Sequence, residues 1–236
     1  MVKLIIFFLV LLVSQTFPQD STSANNESEF LQAVNLYKLH QYDQALNIFE
    51  KIAGQNEGKA AESFLFEGKI LADIKKYPEA EKILREFLQQ HPESRYGNEA
   101  HLTLAKIYLE QEKYKTSFLE ICSILAETDS GYYSDYGKTS AERIALNYIE
   151  PDYLKHLNDS ITSSNKAEKL KPFMLLLLGK LFYQENNYRT AEKYISELIT
   201  NFPRSTERRE AGEIFQKITE SKKQSPSGNF IGVLLP

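Results

Sequence analysis

Lys76-Tyr77-Pro78-Glu79-Ala80 and Asn187-Tyr188-Arg189-Thr190-Ala191 each place a small residue three positions after a tyrosine. The interval from Tyr77 to Tyr188 is the same as that from Gly68 to Gly179 and from Pro92 to Pro203. It equals three steps of 37, and one such step from Tyr77 lands on Tyr114 in Lys113-Tyr114-Lys115-Thr116-Ser117. An earlier copy, Gln41-Tyr42-Asp43-Gln44-Ala45, precedes Tyr77 by a slightly shorter step. Several positions in register at a fixed period are the mark of a repeated supersecondary unit.

Each copy has one internal grammar. Apolar residues at helical spacing come first (Phe64, Ile70, Leu71; Leu104, Ile107, Tyr108; Leu175, Leu178, Phe182), then a short polar turn, then the tyrosine. A second apolar stripe follows at three- and four-residue intervals: Ala45, Ile48, Phe49, Ile52; Ala80, Ile83, Leu84, Phe87; Ala191, Tyr194, Ile195, Leu198. Both periods are those of an amphipathic helix. Gly68, Ala105 and Gly179 on the first helix, with Ala80, Ser117 and Ala191 on the second, are small enough to let paired helices approach closely. Pro92 and Pro203 stop the second helix and open the next turn.

Gly68–Tyr77–Ala80–Leu84–Phe87–Pro92 and Gly179–Tyr188–Ala191–Ile195–Leu198–Pro203 together resemble the tetratricopeptide repeat. The resemblance covers most of residues 30 to 220. It implies an all-α solenoid of about five helix pairs and a protein or peptide partner, and it is silent on activity. The segment 131–171 fits loosely, with Pro151 in the tyrosine position, and reads as a degenerate pair. The turn residues around Pro92 and Pro203 resemble those of bacterial envelope members.

Outside the repeats the chain changes character. Lys3, the apolar run Leu4 to Val13 and the polar exit Ser14-Gln15-Thr16 have the three parts of a secretory signal, read as 1–19 with cleavage near Gln19 or as late as Ala24. The alternative is an uncleaved anchor, although ten apolar residues fall short of the roughly 20 that span a bilayer as a helix. No cysteine follows the run, so an exported, non-lipidated protein of the periplasm or cell envelope is expected. Residues 20–28 read as a disordered mature N-terminus, 29–220 as the repeats and 221–229 as a polar linker. Phe230 to Pro236 is a continuous apolar run that reads as the first strand of a truncated α/β domain. Ile231 to Pro236 looks like the opening of a type I periplasmic-binding-protein fold, and this order of segments resembles the penicillin-binding-protein activators. A tail docking on the repeats is the alternative reading of the same residues.

Composition narrows the functions. The 236 residues carry a formal net charge of -4, which removes the electrostatic basis for general nucleic-acid binding. One cysteine, Cys122, excludes an internal disulfide and a cysteine-based zinc cluster, and its apolar context predicts a small buried hydrophobe. His40, His91, His101 and His156 share no helical metal spacing, so no metal or cofactor is expected. No nucleophile elbow or phosphate-cradling glycine loop is present, so no catalytic residue is assigned and the chain reads as non-enzymatic. Glu67, Glu79, Glu81 and Glu86 read as solvated helix faces, and Tyr132-Tyr133-Ser134-Asp135-Tyr136 as inter-repeat packing. Asn26 and Asn158 head glycosylation sequons.

One feature stands above this background. Lys69, Lys106, Arg143 and Lys180 each follow the small first-helix position at steps of 37. Stacked repeats would align them as a basic ladder able to receive an acidic partner; the alternative is ordinary solvated lysines. The function expected is a non-catalytic interaction scaffold that presents a C-terminal ligand-binding domain. The rivals are a small-molecule receptor and an envelope assembly factor.

Overall fold

A computed structural model describes residues 21–55, 58–128, 130–161 and 165–224. Among them lie eleven α-helices and no strand: α1 (Ser21–Lys38), α2 (Tyr42–Ala53), α3 (Ala60–Asp73), α4 (Tyr77–Gln90), α5 (Gly97–Glu110), α6 (Tyr114–Glu127), α7 (Tyr132–Tyr148), α8 (Pro151–Ile161), α9 (Asn165–Gln184), α10 (Tyr188–Asn201) and α11 (Arg208–Gln224). The all-α, tetratricopeptide-like expectation holds. The expected signal at 1–19 and strand at 230–236 lie outside the described residues.

Helices α2, α4, α6, α8 and α10 start at Tyr42, Tyr77, Tyr114, Pro151 and Tyr188. At the third, seventh and tenth positions after the start, four of these helices bury the same stripe: Ala45, Phe49, Ile52; Ala80, Leu84, Phe87; Ser117, Ile121, Ile124; Ala191, Ile195, Leu198. That stripe lies on one side of the helical period and turns each amphipathic segment into a helix with a fixed inner face.

The turn before the tyrosine is also repeated. His40, Lys75, Glu112 and Asn186 all take left-handed backbone, with φ of 57, 63, 57 and 59°. The next residue folds its N–H back onto the preceding helix: Gln41 to Leu36, Lys76 to Leu71, Lys113 to Tyr108 and Asn187 to Phe182, at 2.8–2.9 Å. Only glycine, asparagine and a few others take this region cheaply, so three of the four copies hold it by context.

The fourth copy breaks the pattern for two visible reasons. Its residue in the left-handed slot is Ile149, whose β-branch disfavours positive φ, and it stays extended at φ -120°, ψ 130°. Its residue in the small first-helix slot is Glu142. Accordingly, α8 packs on α9 and does not fold back on α7, while α9 also packs on α6 and α7. Helix α9 is apolar nearly all round, with Phe173 to Leu178, Leu181 and Phe182 buried, and it is the centre of the core. On α8 the second stripe position is Asn158, buried with its Oδ1 unpaired.

The chain divides into two compact units, one ending at Ile70 and one starting at Leu71. In the first, α1 packs on α2 around Phe30, Ala33, Ala45, Phe49, Ile52 and Ile70, with Phe66 stacked on Phe49 at 4.9 Å. In the second, α4, α5, α6 and α7 each pack on the next, and α6, α7, α8, α10 and α11 all pack on α9.

Two boundaries need correction. Residues 21–28, expected to be disordered, are helical in α1. Their polar composition hides this, because α1 is held partly by charge: Lys51 pairs with Glu29 at 2.7 Å and Lys59 with Glu27 at 3.4 Å. The expected linker at 221–229 begins inside α11, which runs to Gln224 and ties back to α10 through Lys222 and Glu192. Both sequon asparagines, Asn26 and Asn158, are buried in helices, where an oligosaccharide has no room.

Candidate partner-binding groove

The repeat signature residues serve the packing in place. Gly179 faces Ile195 so closely that an added Cβ would overlap it, and in the α5–α6 pair Ala105 and Ser117 meet with the Ser117 hydroxyl donating to the Ala105 carbonyl at 2.7 Å. Gly68, Ala80 and Ala191 are buried, Tyr77, Tyr114 and Tyr188 are half-buried, and Pro92 and Pro203 lie exposed in the closing turns.

The four candidate cations have four different fates. Lys180 is nearly buried between Glu142 at 2.7 Å and Glu210 at 2.5 Å. Its burial opposes the charge, but hydrogen bonds to the two carboxylates outweigh it and hold its pKa above the ordinary lysine value. Lys69, in the first unit, lies over the rings of Tyr37 and Phe66, 5.7 and 5.1 Å from their centroids. Lys106 and Arg143 are exposed. The equal spacing in sequence does not translate into four equivalent charges facing a partner.

Arg143 nevertheless belongs to a groove. A cavity of about 600 Å³ is walled by α7 (Lys138, Glu142, Arg143, Leu146) and the start of α11, with Phe173 and Leu176 of α9 as its floor. The turn leading into α11 carries Glu207, which accepts from Lys138 at 2.6 Å and from Thr206 at 3.0 Å. Burial works against ionising Glu207, yet the Lys138 ammonium and these hydrogen bonds keep its pKa below the usual carboxylate value.

The same face of α7 continues past Thr139 to Tyr136 and Tyr132, which with Asp135 and Arg143 border a second opening of about 490 Å³. Tyr132 is 65% and Tyr136 38% exposed, their rings 5.9 Å apart and 25° from parallel. These two tyrosines therefore do not pack between repeats as expected. Tyr133 does: its hydroxyl donates to Glu99 of α5 at 2.6 Å, and burial together with that carboxylate pushes its pKa up.

A polar cluster was not legible in advance. Buried Glu120 of α6 pairs with Arg85 of α4 and lies at hydrogen-bond distance, 2.8 Å, from His101 Nδ1 of α5. Arg85 also donates to the Tyr108 hydroxyl at 3.2 Å, which in turn donates to Glu81. Glu81 is thus not simply solvated surface. The available signal was Glu120 itself, one residue before Ile121 in the buried stripe. Cys122 is buried as expected, and its surroundings push the thiol up to about 12. Among the described residues no cluster has the makings of a metal site, and no helix is long and apolar enough to cross a membrane.

A family model described as anaphase-promoting complex, cyclosome, subunit 3 matches residues 6–87, and a tetratricopeptide-repeat model matches residues 174–205. No curated protein matches the chain. Among solved structures, a tetratricopeptide repeat protein from Parabacteroides merdae is 13% identical over 86% of this chain and 74% of its own, with a TM-score of 0.47. The TPR2AB-domain:pHSP90 complex of yeast Sti1 is 12% identical over 83% of this chain and 99% of its own, with a TM-score of 0.43. The tetratricopeptide-repeat character of the chain is thus supported by a family model over its last repeat and by the helix grammar repeated before it.

Proposed function

We propose that the chain is a non-catalytic interaction scaffold, exported to the cell envelope, that holds a protein or peptide segment along α7, α9 and α11. The observation that carries this reading is the groove of about 600 Å³ floored by Phe173 and Leu176 and continued by exposed Tyr132 and Tyr136. Exposed aromatic side chains beside an apolar floor offer contact area at low entropic cost, and repeat arrays suggest partner binding of this kind. Export rests on Lys3 and the apolar run Leu4 to Val13. The order of signal, repeats and C-terminal apolar run further supports a role like that of the penicillin-binding-protein activators, with the repeats tethering a ligand-binding domain.

The reading is tested in a Gram-negative host expressing the full chain with a photo-crosslinking residue at Tyr136 or, as a control on α10, at Lys193. The expected result is a periplasmic chain starting between residues 20 and 25, with a discrete crosslinked adduct from position 136 only. A cytoplasmic chain that keeps Met1 would overturn export. Equal or absent adducts at both positions would overturn the groove.

A further inference from the structure

Helix α8 departs from the other second helices in what it buries. Counted from its start at Pro151, its stripe positions hold Leu154, Asn158 and Ile161. Leu154 and Asn158 are buried and Ile161 is half-buried, whereas α2, α4, α6 and α10 each bury three residues or more. The Asn158 amide donates to the adjacent Asp159 at 3.2 Å, and its Oδ1 has no partner among the described residues. The polar stripe residue of α6 is better served, since the Ser117 hydroxyl donates to the Ala105 carbonyl. A buried amide oxygen left unpaired disfavours the docked state of the helix that carries it.

The connection to α7 is equally distinct. The end of α7 is fixed, because Tyr148 stacks on Tyr114 of α6 with ring centroids 4.0 Å and planes 8° apart. Just beyond it the extended Ile149 replaces the left-handed turn, and α8 leaves α7 behind. Besides Leu154 and the half-buried Tyr153 and Leu157, the tethers of α8 are charged groups near the surface. Glu150 pairs with Lys115 of α6 at 2.8 Å, with side chains 67% and 48% exposed. Lys115 and Lys155 lie over the rings of Tyr153 and Phe182, 5.0 and 5.5 Å from their centroids, and Lys171 donates to the Asn158 carbonyl at 3.2 Å. Exposed ion pairs hold weakly. Phe182, the ring beneath Lys155, is stacked on Tyr194 of α10.

We propose that α8 is a strap that opens on its own, leaving α9 while α7, α10 and the buried run of α9 from Phe173 to Phe182 stay folded, and that Asn158 sets how readily it opens. Local opening belongs to segments with few buried apolar contacts and solvent-exposed tethers, and α8 has both. Opening uncovers the Phe182–Tyr194 pair and gives the second unit an apolar face that is covered at rest. Among the described residues that line the partner groove none comes from α8, so the strap does not depend on that reading.

The test is native-state hydrogen exchange of the full chain in low urea, read by mass spectrometry on peptides from α8 and α10. Amides of α8 should exchange about a hundredfold faster than those of α10 once intrinsic rates are removed, and with a much smaller dependence on urea, because a local opening exposes little surface. Asn158→Leu replaces the unpaired amide with the kind of side chain that fills this stripe position elsewhere, and should slow exchange in α8 by about tenfold or more. A second measurement needs no variant: trypsin should cut the native chain after Lys155 of α8 before it cuts after Lys193 of α10. Equal rates and equal urea dependence in the two helices overturn the proposal, since α8 would then open only with the whole unit. Cleavage after Lys193 no later than after Lys155 overturns it as well, and so does exchange in α8 that is indifferent to Asn158→Leu.

Discussion

Gly179 of α9 lies directly against Ile195 of α10: a Cβ at position 179 would overlap Ile195 Cδ1 and come within 2.5 Å of its Cγ1. Ile195 is fully buried in a closely packed interior, where a shift of its side chain is costly. We predict that Gly179→Ala destabilises the chain by about 1–3 kcal/mol, although alanine gains about 1 kcal/mol of helix propensity in an open helix. In an Ile195→Ala background the penalty should shrink or reverse. Urea midpoints of the four variants measure the coupling, and additive effects would mean that the contact is not what fixes glycine there.

The left-handed turns give a second, opposite expectation. Glu112 sits at φ 57° without the side chain that favours it, while Asn186 fills the equivalent place at φ 59°. Glu112→Asn is predicted to stabilise by about 0.5–1 kcal/mol, part of the strain an L-residue carries in this region. Asn186→Ile is predicted to cost about 2 kcal/mol, because the β-branch that keeps Ile149 extended in the fourth copy would then oppose the turn. Thermal melting of both single variants checks the two signs together.

That comparison also shows what could be read in advance. The repeated register placed Ala80, Leu84 and Phe87 on one buried face because a packing stripe is a local property of side-chain period. The failure of the fourth hairpin was written in Glu142 and Ile149, but only once the left-handed slot was known to matter, and that slot is a backbone feature no composition reveals. The ladder misled for a different reason. Lys180 is neutralised by Glu142 of α7 and by Glu210 of α11, both remote from it in sequence, and such pairings depend on which helices become neighbours. The helical start of α1 was likewise invisible, since ion pairs such as Glu29 with Lys51 contribute to holding a segment with little apolar periodicity.

Acid should expose the Lys138–Glu207 pair. Burial raises the pKa of Glu207, but Lys138 and the hydrogen bonds lower it further, so the folded value lies below the unfolded carboxylate value of 4.5. A depressed folded pKa gives stability that is complete above the unfolded value and is lost as pH falls through the folded one. Lys138→Met removes the cause. The variant should therefore be less stable than the parent at pH 7 by about 1–2 kcal/mol, with the difference narrowing below pH 4. Urea unfolding at pH 7, 5 and 3 tests this, and a gap that stays constant with pH would show that Lys138 acts through packing alone.

Cys122 should behave as an inert part of the core. It is fully surrounded in the cluster that includes Phe118, Ile121 and Leu125, and that burial alone pushes its thiol up to about 12. The thiolate is the reactive form, so at pH 8 its population falls on the order of 10³-fold below that of an ordinary cysteine, before any steric exclusion is counted. Labelling by a disulfide reagent is therefore predicted to be slow in the native chain and fast in urea, with the native rate tracking the opening of the α6 region. The two obvious substitutions separate burial from chemistry. Cys122→Ala keeps the site apolar and should cost about 1 kcal/mol, whereas Cys122→Ser strands a hydroxyl among these side chains at a cost of about 1–3 kcal/mol. Serine as the milder change would mean that a polar partner reaches position 122.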